Sequence, residues 1–387
     1  MLGVTGSIAA YKIANLARML VKQHCEVHVL MTQNATNFIN PITFETLTKH
    51  KCLIDTFDRN FEFSVEHVAL AKAADVVMIA PASANVIGKI ANGIADDMLT
   101  TTVMACPCKK IVSPAMNHNM FHNPIVQDNI EKLKHYGYEI VEPAHGMLAN
   151  GDMGDGRMPD EELLFEYIVK EIAFEKDMTG KKVLVTAGAT VEAIDPVRFI
   201  TNHSSGKMGF ALAKNAMLRG ADVTLVMGKC DSEPPVFVNT VKVQSAKDMY
   251  DAVIERADSM DIIVKAAAVA DYRPKNVSSE KVKKQDGNMS IELERTDDIL
   301  KTLGERKNGQ FICGFSMETE NMLENSRKKL EKKNCDMIVA NNLKQDGAGF
   351  GGNTNIVTLI TKDDEVQLEK MTKDEVAEKI FDFILSR

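Results

Sequence analysis

Short apolar runs that end in clusters of small and polar residues recur along this chain, with helix-period segments between them. Residues 2–4 read as a strand, and Ile13, Leu16, Ala17, Leu20 and Val21 predict a helix over 12–24. Residues 26–30 alternate and read as a second strand. Strand, small-residue turn, helix, strand is a βαβ unit, and ligands bind such units at the carboxyl end of the strands. The rhythm continues with a helix capped by Ser64, strands at 76–80 and 111–112, a helix from Pro81 as its first residue through 94, and an amphipathic helix over 161–174. Residues 175–180 are a polar break, read as a linker. The pattern then restarts. Strands are predicted at 182–186, 223–227, 261–264, 311–315, 336–340 and 356–360. Helices are predicted over 210–219, from Ser245, over 320–333 and over 373–385. The whole predicts two doubly wound, Rossmann-like α/β domains, 1–174 and 181–387. At three residues the first strand is shorter than the usual five or so, which leaves open whether residues precede Met1.

Polar groups gather where these strands end. In the first half they are Thr5-Gly-Ser-Ile-Ala-Ala-Tyr-Lys12, Pro81-Ala-Ser-Ala-Asn85 and Ser113-Pro-Ala-Met-Asn117-His-Asn-Met120. His67 falls in a helical first turn, where the dipole favours a neutral imidazole fit to act as a base, or it is an ordinary surface polar residue. Asp96-Asp97 reads as a cap for the following helix rather than a metal pair.

The second half is organised around Asn202-His-Ser-Ser-Gly-Lys-Met-Gly209, approached by Thr186-Ala-Gly-Ala-Thr190 and Asp195-Pro-Val-Arg198. Small residues and hydroxyls at a helix start let an anion approach unpaired N–H groups. The plainer reading is a capped helix, with Ser204 or Ser205 as N-cap and Gly206 in the first turn. It is not a Walker A loop, because Met208 follows Gly206-Lys207 where Ser or Thr is required. Asp271 and Arg273 follow an alanine-rich strand. Lys281 and Lys283 alternate about Val282, which would place both on one face of a strand, and Lys329 and Lys333 stand four apart on a helix. Gly347-Ala-Gly-Phe-Gly-Gly352 reads as a surface turn. Metal ligands are not legible.

Composition narrows the function. A net charge of −8 over 387 residues argues against non-specific nucleic-acid binding. Seven dispersed cysteines form no disulfide framework, and Cys106-Pro-Cys108 lacks the second pair a zinc site needs. No apolar run reaches membrane-spanning length and no signal peptide is legible, so a cytoplasmic protein is expected.

Asp195-Pro-Val-Arg-Phe-Ile-Thr-Asn-His-Ser-Ser-Gly-Lys-Met-Gly209 resembles the signature of bacterial phosphopantothenate–cysteine ligases. The three strand-end clusters of the first half resemble motifs of the flavin-containing cysteine decarboxylases, which are flavodoxin-like. Together they resemble the bifunctional phosphopantothenoylcysteine decarboxylase/phosphopantothenate–cysteine ligase family of coenzyme A biosynthesis. The resemblance implies FMN held by Gly6, Ser7, Ile8, Ser83, Ala84 and Asn85, with His67 as base and Asn117 on the substrate carboxylate. It implies CTP and Mg²⁺ for ligation of 4′-phosphopantothenate to cysteine through an acyl-cytidylate. In that half Lys281 would serve activation and Asn202 the acyl-cytidylate. Arg198 would hold phosphate or the intermediate, and Asp271, Phe315, Lys329 and Lys333 would contact nucleotide. It also implies a homo-oligomer, trimer-based and dodecameric, with dimeric ligase domains and neither nucleic acid nor membrane as partner.

Two departures stand out. Thr296-Asp-Asp-Ile299 is a looser match to the family's Asn-Pro-Asp-Ile. Within Ala149-Asn150-Gly-Asp-Met-Gly-Asp-Gly-Arg-Met158, which matches the family's flap, Asn150 stands where the family has Cys. An amide does not donate a proton at neutral pH as a thiol does. The expectation is decarboxylation that stalls before the reduced product. Two other readings stay open: a ligase whose first half is an FMN-binding oligomerising or regulatory scaffold, and a nicotinamide-dependent reductase.

Overall fold

Two largely parallel sheets organise the chain, one in each of two units, Met1–Phe174 and Glu175–Arg387. The computed structural model describes residues 1–56, 66–148, 151, 153–283, 289–318, 321–342 and 351–387.

The first unit runs β1 (Leu2–Val4), α1 (Lys12–Lys22), β2 (Val29–Met31), α2 (Pro41–Thr48), α3 (Glu66–Ala73), β3 (Val76–Ala82), α4 (Ala84–Ala91) and α5 (Met98–Ala105). It continues with β4 (Lys109–Pro114), α6 (His118–Phe121), α7 (Pro124–His135), β5 (Glu139–Ile140), β6 (Ala144–Met147), β7 (Met153–Arg157) and α8 (Glu161–Ile172). Its parallel sheet has the order β2-β1-β3-β4-β5, the flavodoxin-like winding, which reverses between β1 and β3. Every residue of β3 is buried, and the pleat divides them. Val76, Met78 and Ala80 join the core containing Ile13 of α1 and Leu164 of α8, while Val77 and Ile79 join that of α4, α5 and α7.

Some boundaries depart from expectation. The second strand is Val29–Met31 rather than 26–30, because the three residues of β1 pair only with that stretch. Pro81 does not open a helix: the Ala80–Pro81 bond is cis and Pro81 and Ala82 complete β3. Ser83 caps α4 instead, its hydroxyl accepting the Val86 N–H. Asp97 caps α5 in a reciprocal box with Thr100. Ser64 and Asn150 lie outside the described residues.

The second unit runs β8 (Lys182–Ala187), β9 (Val191–Ala193), β10 (Phe199–Thr201), α9 (Lys207–Leu218), β11 (Asp222–Met227), β12 (Asn239–Lys242), α10 (Ala246–Ala257) and β13 (Ile262–Lys265). It continues with β14 (Tyr272–Pro274), β15 (Leu293–Arg295), α11 (Ile299–Glu305), β16 (Phe311–Glu318), α12 (Met322–Lys332) and β17 (Met337–Asn342). It closes with β18 (Thr354–Asn355), β19 (Val357–Ile360), β20 (Glu365–Gln367), β21 (Met371–Thr372) and α13 (Lys373–Leu385). The sheet order is β12-β11-β8-β13-β16-β17-β19-β20. Its first six strands are parallel in the Rossmann winding, which reverses between β8 and β13; β19 and β20 add an antiparallel edge.

Residues 175–180, read as a linker, lie against this unit: Met178 is buried and donates its N–H to Arg219 O at 3.0 Å. Lys281 and Lys283 form no strand. The Val282 N–H between them donates to Asp195 Oδ2 instead, at 3.1 Å. α9 starts from Gly206 rather than from either serine. Gly206 has φ of 81°, and a Cβ there would collide with Cys230 Sγ. Residues 347–350 of the predicted glycine-rich turn lie outside the described residues.

Candidate functional site

In the first unit the loops after β1, β3 and β4 meet at the carboxyl edge of the sheet, at its winding reversal. Thr5 is fully buried and ties two of them together: its hydroxyl donates to Pro81 O at 2.6 Å and accepts the Ser83 N–H at 2.9 Å. Gly6 turns tightly past Asn34, where a Cβ would approach Asn34 Cβ to 2.8 Å. Ser7 then caps a short 3₁₀ turn over Ile8–Tyr11, its hydroxyl accepting the Ala9 N–H.

A cavity of about 370 Å³ opens beside this turn, within the range of small-molecule sites. Ile8, Ala115, Met116 and Leu148 supply an apolar wall; Ser7, Lys12, Asn117 and Arg157 supply polar groups. Lys12 is paired with Asp160 at 2.9 Å, and Asn117 caps α6 through its amide oxygen. An apolar wall facing hydroxyl, amide and cation suits a flat aromatic group that carries an anion. Ser7, Ile8 and Asn117 are thus brought together. Ser83, Ala84 and Asn85 open the adjoining helix and do not line the cavity, nor does His67, half-buried in the first turn of α3.

In the second unit the segments after β8 and β13 are stitched together at the reversal. Ala267 N–H donates to Thr186 Oγ1 (3.1 Å), Ala270 N–H to Thr190 Oγ1 (3.0 Å), and Asn202 Nδ2 to Ala268 O (3.2 Å). Asp195, 3% exposed, accepts the N–H groups of Val197, Arg198 and Val282 and faces Arg198 Nη1 at 3.5 Å. Burial opposes its ionisation, but the three backbone donors prevail and hold the carboxyl below its usual range. Lys281, beside Val282, is exposed.

A second group surrounds Lys265 at the end of β13. Lys329, Asp298, Asp271 and Lys333 all act on its ammonium, and burial followed by Lys329 pushes its pKa down to about 8. Lys329 Nζ donates to Phe315 O at 2.8 Å, and Lys333 pairs with Asp298, the N-cap of α11. Among the described residues the Lys265 ammonium has no hydrogen-bond or ion-pair partner. Asp271, Phe315, Lys329 and Lys333, scattered in sequence, therefore come together, whereas Arg198, Asn202 and Lys281 attach to the Asp195 turn and its neighbours. A groove of about 440 Å³ lined by Glu192, Asp248, Arg273 and Glu294 holds none of the predicted contacts.

A family model described as Flavoprotein matches residues 1–173, and one described as DNA/pantothenate metabolism flavoprotein C-terminal domain matches 178–387. The chain is 48% identical over 366 residues to the coenzyme A biosynthesis bifunctional protein CoaBC of Bacillus subtilis (strain 168), covering 94% of this chain and 90% of that one. The chain belongs to the family of bifunctional coenzyme A biosynthesis proteins. The family member of Vibrio cholerae serotype O1 is 43% identical over 387 residues, covering 99% and 97% of the two chains. A solved C-terminal domain of a family member has 48% identity and a TM-score of 0.48, covering 55% of this chain and 97% of that one.

Two residues at these edges escaped the sequence reading. Asp195 opens the stretch that runs to Gly209, but nothing in its neighbourhood signals the bond to Val282. Lys265 closes an apolar strand, and a lysine directly after Ile-Ile-Val was the signal available.

Proposed function

We propose that the second unit ligates 4′-phosphopantothenate to cysteine at the expense of CTP, through an acyl-cytidylate, and that the first carries FMN-dependent decarboxylation of the phosphopantothenoylcysteine formed. As a member of its family the chain is an enzyme with phosphopantothenate–cysteine ligase and phosphopantothenoylcysteine decarboxylase halves. The observation that carries the finer reading is the gathering of Lys265, Lys329 and Lys333 beside Asp271 at the winding reversal of a Rossmann sheet.

A carboxylate attacking a triphosphate meets charge repulsion, which cations must screen. Lys329, Lys333 and Lys265 screen the phosphates together with Mg²⁺, while Asp271 and Phe315 contact the nucleotide. Lys281 serves the activation step, Asn202 holds the acyl-cytidylate by its amide, and Arg198 holds phosphate or the intermediate.

In the first unit FMN, when bound, would supply hydride acceptance from the carbon bearing the thiol. Gly6, Ser7 and Ile8 would hold it, with Ser83, Ala84 and Asn85 contributing from the start of the adjoining helix. His67 takes a proton as base and Asn117 offers its NH₂ group to the substrate carboxylate. Ile8, Tyr11 and Met147 are exposed large apolar side chains among the lining residues, which favours a further copy of the chain covering the mouth. The assembly is trimer-based and dodecameric, with dimeric ligase domains, in the cytoplasm. Asn150 in the place of Cys leaves the decarboxylated product unreduced. That substitution also favours a second reading, a ligase whose first unit is an FMN-binding oligomerising or regulatory scaffold.

Mass analysis of products from 4′-phosphopantothenate and cysteine, with and without CTP, tests all of this. Pyrophosphate and phosphopantothenoylcysteine should form only with CTP, and their absence overturns the ligase reading. Normal turnover to phosphopantetheine overturns the role given to Asn150. A ligation product that keeps its carboxylate supports the scaffold.

A further inference from the structure

Four titratable side chains that the proposed chemistry does not use meet beside α6. His118 is the first residue of that helix and His122 its C-cap, four positions on, so both imidazoles lie on one face with ring centroids 4.4 Å apart. Asp155 of β7 reaches both. Its Oδ2 lies 2.9 Å from His122 Nε2, and its N–H donates to His118 Nδ1 at 3.1 Å. The other carboxylate oxygen lies 2.9 Å from Nδ1 of His145, on the paired strand β6. One ligand atom each from His118, His122 and Asp155 falls within 4.8 Å of the others. Two imidazoles on one accessible carboxylate, with a third on the same residue's N–H, is more than a surface hairpin needs to hold its register.

We infer that His118, His122 and Asp155, with His145 holding the second carboxylate oxygen, form a binding site for a divalent transition metal of the zinc type, joining α6 to the β6–β7 hairpin. Neutral imidazoles with a single carboxylate select such an ion. Mg²⁺ demands an oxygen shell, so this is not the site of the ion that accompanies CTP. Two nitrogens and one oxygen leave a fourth tetrahedral position for water, and His145 orients the ligating carboxylate from its other oxygen. The metal takes the His118 Nδ1 lone pair from the Asp155 N–H, so binding is reported by that strand. Asn117 caps the same helix, and the ion therefore fixes the hairpin relative to the proposed carboxylate contact.

The test uses the tag-free full chain, stripped with a chelator and dialysed against Zn²⁺. One zinc ion per chain should be retained, with slower backbone hydrogen exchange in β6 and β7 except at Asp155, whose N–H loses its acceptor. His122→Gln and Asp155→Asn should each weaken retention by about tenfold or more. Both side chains are well exposed, at 48% and 36%, so the fold should tolerate the changes, which circular dichroism checks. Glu26, His28 and His50 form a second cluster, and the His28→Gln/His50→Gln double variant should retain zinc as the parent does. Failure of the parent chain to retain zinc overturns the site. So does retention unchanged by His122→Gln and Asp155→Asn, or loss in the His28/His50 variant.

Discussion

The carboxylate of Asp195 accepts the N–H of Val282 at 3.1 Å, across 87 residues of sequence. The same group accepts the N–H of Arg198 at 2.7 Å, so one buried side chain sets both the turn that presents Arg198 and the loop that presents Lys281. Asp195→Asn turns an NH₂ group toward backbone donors and releases one of these partners. A displacement of reacting groups on the order of 1 Å costs up to about a hundredfold in rate. Pyrophosphate release should therefore fall by about tenfold to a hundredfold, with bound flavin unchanged; an undiminished rate would detach Asp195 from the ligase site.

Lys265 should make CTP binding in the second unit depend on pH. Its pKa of about 8 means that the ammonium is lost as pH rises through that value. CTP affinity should weaken between about pH 7 and pH 9, and Lys265→Gln should be weaker throughout and lack this step. Unfolding does not explain the effect, because its sign is opposite. Between about 8 and the unfolded value of 10.5 the unfolded chain binds more protons, so this group's contribution raises stability with pH. Calorimetric titration of CTP across that range reads the difference.

Thr5 is the joint between the first and third strand ends of the flavin unit. Thr5→Val keeps the shape but leaves Pro81 O and the Ser83 N–H without their buried partner. An unsatisfied buried polar group costs about 1–3 kcal/mol, so a loss of about 2–6 kcal/mol is expected for the pair. Denaturant unfolding of the first unit should show that loss, with lower flavin content, while pyrophosphate release stays at the parent level.

What the sequence revealed follows from what buries each segment. β3 is covered on both faces and so reads as an uninterrupted apolar run, and the strand ends are marked by the small residues that follow. Local pattern failed where distant residues decide. Pro81 looks like a helix start, yet Thr5 draws its carbonyl into the β1 loop. Lys281 and Lys283 alternate as in a strand, but the backbone donor between them goes to Asp195. Gly206 caps α9 because Cys230, beyond β11, occupies the space a side chain would need. Lys265 acquires its lowered pKa first from burial and then from Lys329, which is not near it in sequence.

Lys281 is exposed and sits beside the anchored Val282, an arrangement that fixes the backbone while leaving the long side chain to reach an anion. Lys281→Gln preserves the anchor and removes the charge. Release of pyrophosphate from CTP should fall by about a hundredfold or more, as for loss of a charge acting on a developing anion. CTP affinity should change less than the rate. A near-parent rate would remove Lys281 from the activation step.

Asn150 offers a direct test of the first unit's chemistry by reversal. Reduction of the decarboxylated product needs a proton, which a thiol donates near neutral pH and an amide does not. Asn150→Cys should therefore restore phosphopantetheine formation, by about a hundredfold or more if the group acts as a general acid. Ligation in the same reaction should be unaffected, because pyrophosphate release precedes this step. The effect should appear in the ratio of reduced to unreduced product by mass spectrometry, with the parent chain forming the species lighter by two hydrogens, one per bound flavin and more only as dissolved dioxygen reoxidises the flavin. Equal ratios for the two proteins would mean that another donor serves the step and that Asn150 does not limit it.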